Sequence, residues 1–317
     1  MRVLVIGGTG HIGTYLCPML VEAGHQVVCL SRGGREPYSP HSAWASIERV
    51  AADRAAEDAN GAFPDRVAAL RPDVVVDLIC FRLESAVRLA ESLRGRVRHL
   101  LHCGTIWVHG HSTEVPTTEE RPRAPFCEYG RAKARIEDYL LGEARAGRLP
   151  ATVLHPGHIV GRGWPPLNPA GHFDPAVFAA LARGDALALP NLGMETVHHV
   201  HAEDVAQAFA RALERWSASV GESFHVVSPA ALTLRGYAEG MAAWFGRQAD
   251  LRFLPWERWR ETVAPEAAAA TWDHIAHSPC CSIEKGTRLL GYAPRHTSLS
   301  AVRDAVDALL GSGALTL

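Results

Sequence analysis

An excess of charge of either sign is missing from this chain. Its 32 basic and 34 acidic residues leave a formal net charge of −2, and so balanced a surface carries no field to draw in polyanions, which argues against a nucleic-acid partner. Long hydrophobic runs are missing too. No apolar stretch approaches the ~20 residues of a membrane span, so no membrane partner is expected, although 47% of the residues are hydrophobic. Met1 enters an apolar run after one charged residue, which leaves no room for a signal peptide and points to a cytoplasmic protein. The seven cysteines include no Cys-x-x-Cys pair, so neither disulfides nor a zinc site is expected. Repeats of solenoid period are absent, and Ala267–Ala270 is too short to count as low complexity.

What is present begins at the first residues. Val3 to Ile6 form an apolar run suited to a parallel strand covered on both faces, followed by Gly7-Gly8-Thr9-Gly10-His11-Ile12-Gly13 and a helical apolar pattern through Ile12, Leu16 and Leu20. Strand, glycine turn and helix in that order make a dinucleotide site: Gly7 for the tight turn, Gly10 for backbone approach to a pyrophosphate, Gly13 for close helix–strand packing. Further strand-like runs at 26–30, 47–51, 74–79, 97–103 and 151–155 alternate with helical or loop segments. The alternation predicts an α/β fold, a doubly wound, Rossmann-like parallel sheet. A Gly-, Pro- and Trp-rich stretch from Gly161 to Pro175 breaks it, and a strand at 196–200 with a helix from Glu203 to Trp216 reads as a return. The predicted division is therefore a dinucleotide domain of residues 1–160 plus about 195–225, interleaved with a smaller substrate lobe of about 161–194 plus 226–317. The tail from Gly311 to Leu317 is expected to fray.

Tyr129 and Lys133 lie four residues apart, hence on one helix face, and Thr105 follows a strand. A free phenol is a poor base at neutral pH, but a neighbouring ammonium favours the phenolate, so Lys133 is expected to lower the value of Tyr129. Thr105 would hold a substrate hydroxyl or carbonyl while Tyr129 exchanges its proton. Among the other histidines and cysteines, Glu195, His198, His199 and His201 alternate across a strand and diverge, so no metal site is expected, and Cys280-Cys281 reads as packing. Trp244, Trp256, Trp259 and Trp272 read as core or subunit packing.

With the glycine turn, Thr105, Tyr129 and Lys133, and His201-Ala202-Glu203-Asp204-Val205-Ala206 in that order, the chain resembles the extended short-chain dehydrogenase/reductase family, which includes the NAD-dependent epimerase/dehydratase enzymes. Ser282 to Pro294 is similar to that family's C-terminal helix-and-turn signature. The resemblance implies an NAD(P)-dependent oxidoreductase acting at a secondary alcohol or ketone of a small molecule, such as a sugar or its derivative, with Tyr129 as the acid/base. It implies that Lys133 also binds the nicotinamide ribose, that Asp53 lies near adenine, that Leu78 and Pro156 at strand ends border the cofactor with Gly7, Thr9, Gly10, His11, Ile12 and Gly13, and that the chain pairs as a homodimer. Trp107, His109, His158 and Trp164 fall at positions bordering the substrate.

Three departures bear on cofactor and substrate. Ser31-Arg32 ends the second strand where NAD-selective members carry an acid, and Arg32 suits the 2′-phosphate of NADP, so NADP is preferred over NAD. Many sugar-nucleotide epimerases carry an Arg at the position of Val197, and the Asn after their Arg-Pro pair is replaced in His155-Pro156-Gly157-His158. Without those groups a diphosphate would need Arg162, Arg183 or Arg252. The alternatives are a nucleotide-sugar epimerase or dehydratase with tightly held NAD, and a non-catalytic nucleotide sensor or RNA-associated protein on the same fold.

Overall fold

Seven parallel strands run through the centre of the structure, a computed structural model describing residues 1–317. They are β1 (Arg2–Ile6), β2 (Gln26–Ser31), β3 (Glu48–Ala51), β4 (Val74–Asp77), β5 (His99–Cys103), β6 (Ala151–Pro156) and the strand Ser223–Val226. Their spatial order is Ser223–Val226, β6, β5, β4, β1, β2, β3. Because β1 pairs with both β2 and β4, the chain reverses direction across the sheet at β1, and the glycine turn opens at that switch point.

The strands are apolar because both faces are covered. Val3 and Val5 pack with Leu16, Leu20 and Phe209 on one side, Leu4 and Ile6 with Phe63, Leu89 and Ile136 on the other. The helix Ala202–Glu214 lies against the helix His11–Glu22 and completes the first layer. A separate core from Val160 to Leu315 includes Phe178, Tyr237 and Trp259, whose indole N–H donates to the Ala188 carbonyl at 3.0 Å. Trp259 is thus packing, as read from the sequence. All seven cysteines are free, and no helix is long and apolar enough to cross a membrane.

The predicted strand at 196–200 is split. Thr196–Val197 pairs antiparallel with Leu232–Thr233, whereas His199–His201 pairs parallel with His158–Val160. At the break, His198 bonds from both ring nitrogens, Nε2 to the Ser228 carbonyl at 2.9 Å and Nδ1 from the Cys281 N–H at 3.1 Å. Neither half joins the main sheet; Ser223–Val226 supplies its seventh strand. The tail also departs from expectation, since Leu315 is buried and its N–H donates to Leu309 at 3.1 Å.

Candidate active site

The turn after β1 is shaped for close backbone approach. Gly7 has φ +86°, and a Cβ on Gly13 would stand 2.2 Å from the Gly8 carbonyl oxygen, so helix and turn can meet only through glycine. No side chain caps the helix His11–Glu22. Its first N–H groups and positive dipole end therefore suit an anion such as a pyrophosphate. The residues fit a dinucleotide on these grounds. Thr9 and Ile12 are buried in the same turn. His11 is buried with neither ring nitrogen partnered, and burial lowers its pKa to about 3, so it brings no charge. Trp164 packs edge-on against His11 at 3.4 Å between ring centroids. That contact puts Trp164 beside the glycine turn, with no ring contact to Trp107 or His158.

At the far edge of the sheet, the Ala52 N–H donates to the Ser31 carbonyl at 2.9 Å, so Ser31, Arg32 and Asp53 share one rim. Arg32 is exposed and has no ion-pair partner, while Arg49 pairs with Glu36 at 2.9 Å. Asp53 caps the helix Arg54–Asn60, accepting the Ala56 N–H at 3.2 Å. Sequence reasoning missed its neighbour: Arg54 turns inward and pairs with buried Asp77 at the end of β4. Leu78 follows as a buried residue, and Ile79 lies against Gly7.

β5 delivers Thr105, whose side chain accepts the Trp107 N–H at 3.3 Å. The helix Glu128–Arg145 carries Tyr129 and Lys133 one turn apart, and Cys127 caps it by accepting the Gly130 N–H at 3.3 Å. Lys133 is almost wholly buried; its Nζ donates to the carbonyls of Cys80 at 2.8 Å and Cys103 at 2.7 Å. Burial pulls its ammonium below the ordinary value.

Tyr129 calls for a correction. The residue as a whole is 42% exposed, yet its phenol is pushed up from the ordinary value by desolvation, with the nearby Thr105 hydroxyl pulling the other way. Lys133 Nζ stands 6.0 Å from the ring centroid with two donors committed to carbonyls. In this state the shift runs opposite to the expected lowering by Lys133, since burial of the phenol outweighs a distant ammonium already engaged by two carbonyls.

Facing Tyr129 is a group of rings. Trp107 meets Tyr129 edge-on at 6.0 Å, stacks on His277 at 4.1 Å, and lies 5.3 Å from His274 and 6.1 Å from His158. His274 and His277 come from the helix Pro265–His277 of the C-terminal region and were missed; their i, i+3 spacing on one helix was the available signal. Both nitrogens of His158 are buried without partners, and burial keeps the ring neutral. Val197 is fully buried in the second core. Arg162 pairs with Asp304 at 3.2 Å and Arg183 with Asp185 at 2.7 Å, while Arg252 sits on the strand Leu251–Leu254.

His109 does not join these rings, contrary to the sequence reading. It is buried, and its ring meets His225 and His155 instead. The reason is the 3-10 turn Ile106–His109, which points Trp107 and His109 to different neighbours. Pro156, the last residue of β6, is buried beside His155. On the helix Glu128–Arg145, Glu137 bonds His155 at 2.9 Å and Arg123 at 2.5 Å, and these partners hold its carboxyl well below the usual range against the cost of burial.

The family described as NAD dependent epimerase/dehydratase matches residues 3–226. The chain is 28% identical over 278 residues to 2′-dehydrokanamycin reductase of Streptomyces kanamyceticus, covering 87% of this chain and 76% of that protein. It is 29% identical over 279 residues to UDP-glucose 4-epimerase of Mycolicibacterium smegmatis, with 80% and 86% covered. The solved UDP-glucose 4-epimerase of Thermotoga maritima with UDP-glucose shares the fold, with a TM-score of 0.74 and 20% identity over 98% of this chain and 99% of that one.

Proposed function

Because the chain belongs to the NAD-dependent epimerase/dehydratase family, we propose that it is an NADP-dependent reductase of a ketone on a sugar or sugar derivative that carries no nucleotide diphosphate. The observation that carries this reading is the meeting of Thr105, Tyr129 and Lys133 at the strand ends beside the glycine turn. A nicotinamide, when bound, supplies the hydride. Thr105 and Tyr129 hydrogen-bond the carbonyl oxygen, and Tyr129, protonated at rest, gives that oxygen its proton as charge builds there; in alcohol oxidation it takes the proton back. Lys133 spends two N–H groups on carbonyls and has a third for a ribose hydroxyl. Its charge also steadies the phenolate that remains.

Trp107 and the neutral rings of His158, His274 and His277 suit a polar but uncharged substrate, with apolar faces for sugar C–H groups and nitrogens for hydroxyls. Buried Val197, where a guanidinium clamp would serve a diphosphate, supports the same reading. So does the reductase relative, named for an aminoglycoside ketone.

Arg32 provides a direct test of the cofactor assignment. In Arg32→Asp, NADPH affinity falls at least about tenfold, the loss of one charge-assisted phosphate contact, while NADH affinity holds or improves. Fluorescence titration with both cofactors reads this out; an unchanged NADPH to NADH ratio removes Arg32 from the role. Mass spectrometry of nucleotide released from the purified protein tests the reaction type. A reductase is isolated largely empty and binds added NADPH, whereas stoichiometric retained NAD together with epimerisation of a UDP-sugar would replace this proposal with the epimerase alternative.

A further inference from the structure

Three imidazoles that the reaction above does not use meet beneath the catalytic helix. His155 and His225 are fully buried and His109 is nearly so. They come from β6, from the strand Ser223–Val226 and from the turn after β5, three neighbouring strand ends. One nitrogen of each lies within 4.8 Å of the other two, and His109 Nε2 is 2.8 Å from His225 Nε2.

From this arrangement we infer a buried binding site for a divalent d-block cation of the zinc class, with His109, His155 and His225 as ligands. Hydrogen bonds behind the rings set up the lone pairs. His155 Nε2 donates to Glu137 at 2.9 Å, which leaves Nδ1 bare; that nitrogen is buried and has no partner. His225 Nδ1 donates to the Ser282 carbonyl at 3.2 Å, which leaves the lone pair of Nε2 facing His109 Nε2, its hydrogen-bond partner without an ion. A carboxylate or carbonyl behind an imidazole is the arrangement that orients metal-ligating histidines and raises their basicity. Without an ion, a bare buried nitrogen is an unmade interaction with no water to repair it.

Spacing and charge agree. Nitrogens about 2.1 Å from a tetrahedral zinc stand roughly 3.4 Å apart, inside the span from 2.8 Å to 4.8 Å found here. Two carboxylates adjoin the cluster, Glu137 and Glu119, the latter accepting the backbone N–H of His225 at 2.8 Å. Of the nearby cations, Arg123 bonds Glu137, and Lys285 is engaged by Glu222 at 2.8 Å. All-imidazole ligation favours zinc, copper, nickel or cobalt over magnesium or calcium. The ion would tie three strand ends to Glu137, which continues the four-residue spacing of Tyr129 and Lys133 along the helix, and so would position that helix.

The test uses the full chain without a histidine tag, stripped with a chelator and titrated with Co²⁺ and then Zn²⁺. Expected are one cobalt per chain with the visible absorption of a tetrahedral nitrogen-rich site, displacement by zinc, and a rise in Tm of about 5 °C at a zinc concentration near 100 times Kd. His155→Gln and His225→Asn each abolish the absorption and the rise. Should either variant fold poorly, the stoichiometry and spectrum of the wild-type protein decide the matter. Absence of bound metal in the wild-type protein overturns the inference, leaving a plain hydrogen bond between His109 and His225. Binding that persists unchanged in folded His225→Asn overturns it as well, since the ion would then sit elsewhere, as at His201, Glu203 and His296.

Discussion

On the proposed mechanism, Tyr129→Phe lowers kcat for ketone reduction by about 10³-fold and leaves nicotinamide cofactor binding intact. The substitution removes one oxygen and keeps the ring, whose neighbours Trp107 and Phe81 lie at 6.0 and 6.4 Å, so packing survives. What is lost is the proton donated to the developing alkoxide, an effect commonly worth 10² to 10⁴ in rate. Thr105 still binds the carbonyl oxygen, so KM moves far less than kcat. Steady-state kinetics beside a cofactor titration separate the two. A kcat within tenfold of the wild type would take the proton away from Tyr129. Desolvation also raises the phenol above its ordinary value, so wild-type reduction keeps its donor protonated beyond the pH of about 10 at which a free phenol ionises.

Acid unfolds this protein early. Burial lowers the pKa of His99, His198 and His274 to about 4 and that of His199 to about 3. Desolvation keeps these rings neutral, and it prevails over the carbonyls that favour the charged form, Ser228 for His198, Leu167 at 3.3 Å for His199 and Ala270 at 2.6 Å for His274. In the unfolded chain each titrates near 6.5, so below that pH the unfolded state binds more protons and stability falls as pH falls. One unit below, each histidine costs about 1.4 kcal/mol, and four together cost about 6 kcal/mol, comparable with the whole stability of many proteins. Tm should therefore be nearly flat above pH 7, drop steeply below about 6.5, and reach loss of the fold near pH 5. Glu137 acts in a lower window: its depressed carboxyl contributes fully above the unfolded value near 4.3, and that contribution is lost progressively below it as pH falls toward the lower folded value. A Tm that stays level from pH 7 to pH 5 would show that these rings accept protons without unfolding.

Much of the scaffold was legible because its signals are local. Apolar runs flanked by turns mark strands, and six of the seven strands of the sheet lie where such runs stand, with ends extended or trimmed by a residue or two. The seventh, Ser223–Val226, went unrecognised because its Phe and Val are interrupted by Ser and His. Those polar groups are tolerated in a buried strand because Arg123 bonds Ser223 and His109 bonds His225. In the same way His198 breaks an apolar run through partners 30 and 83 residues away, which no window of sequence contains.

The glycine turn, the strand–helix alternation and the shared face of Tyr129 and Lys133 follow from neighbours along the chain, since backbone sterics and helical periodicity act over a few residues. The protonated state of Tyr129, the capture of Lys133 by two carbonyls, the inward turn of Arg54 to Asp77 and the gathering of His274 and His277 around Trp107 do not. They arise from desolvation and from contacts between segments far apart in the chain, and both exist only once the packed interior has excluded water.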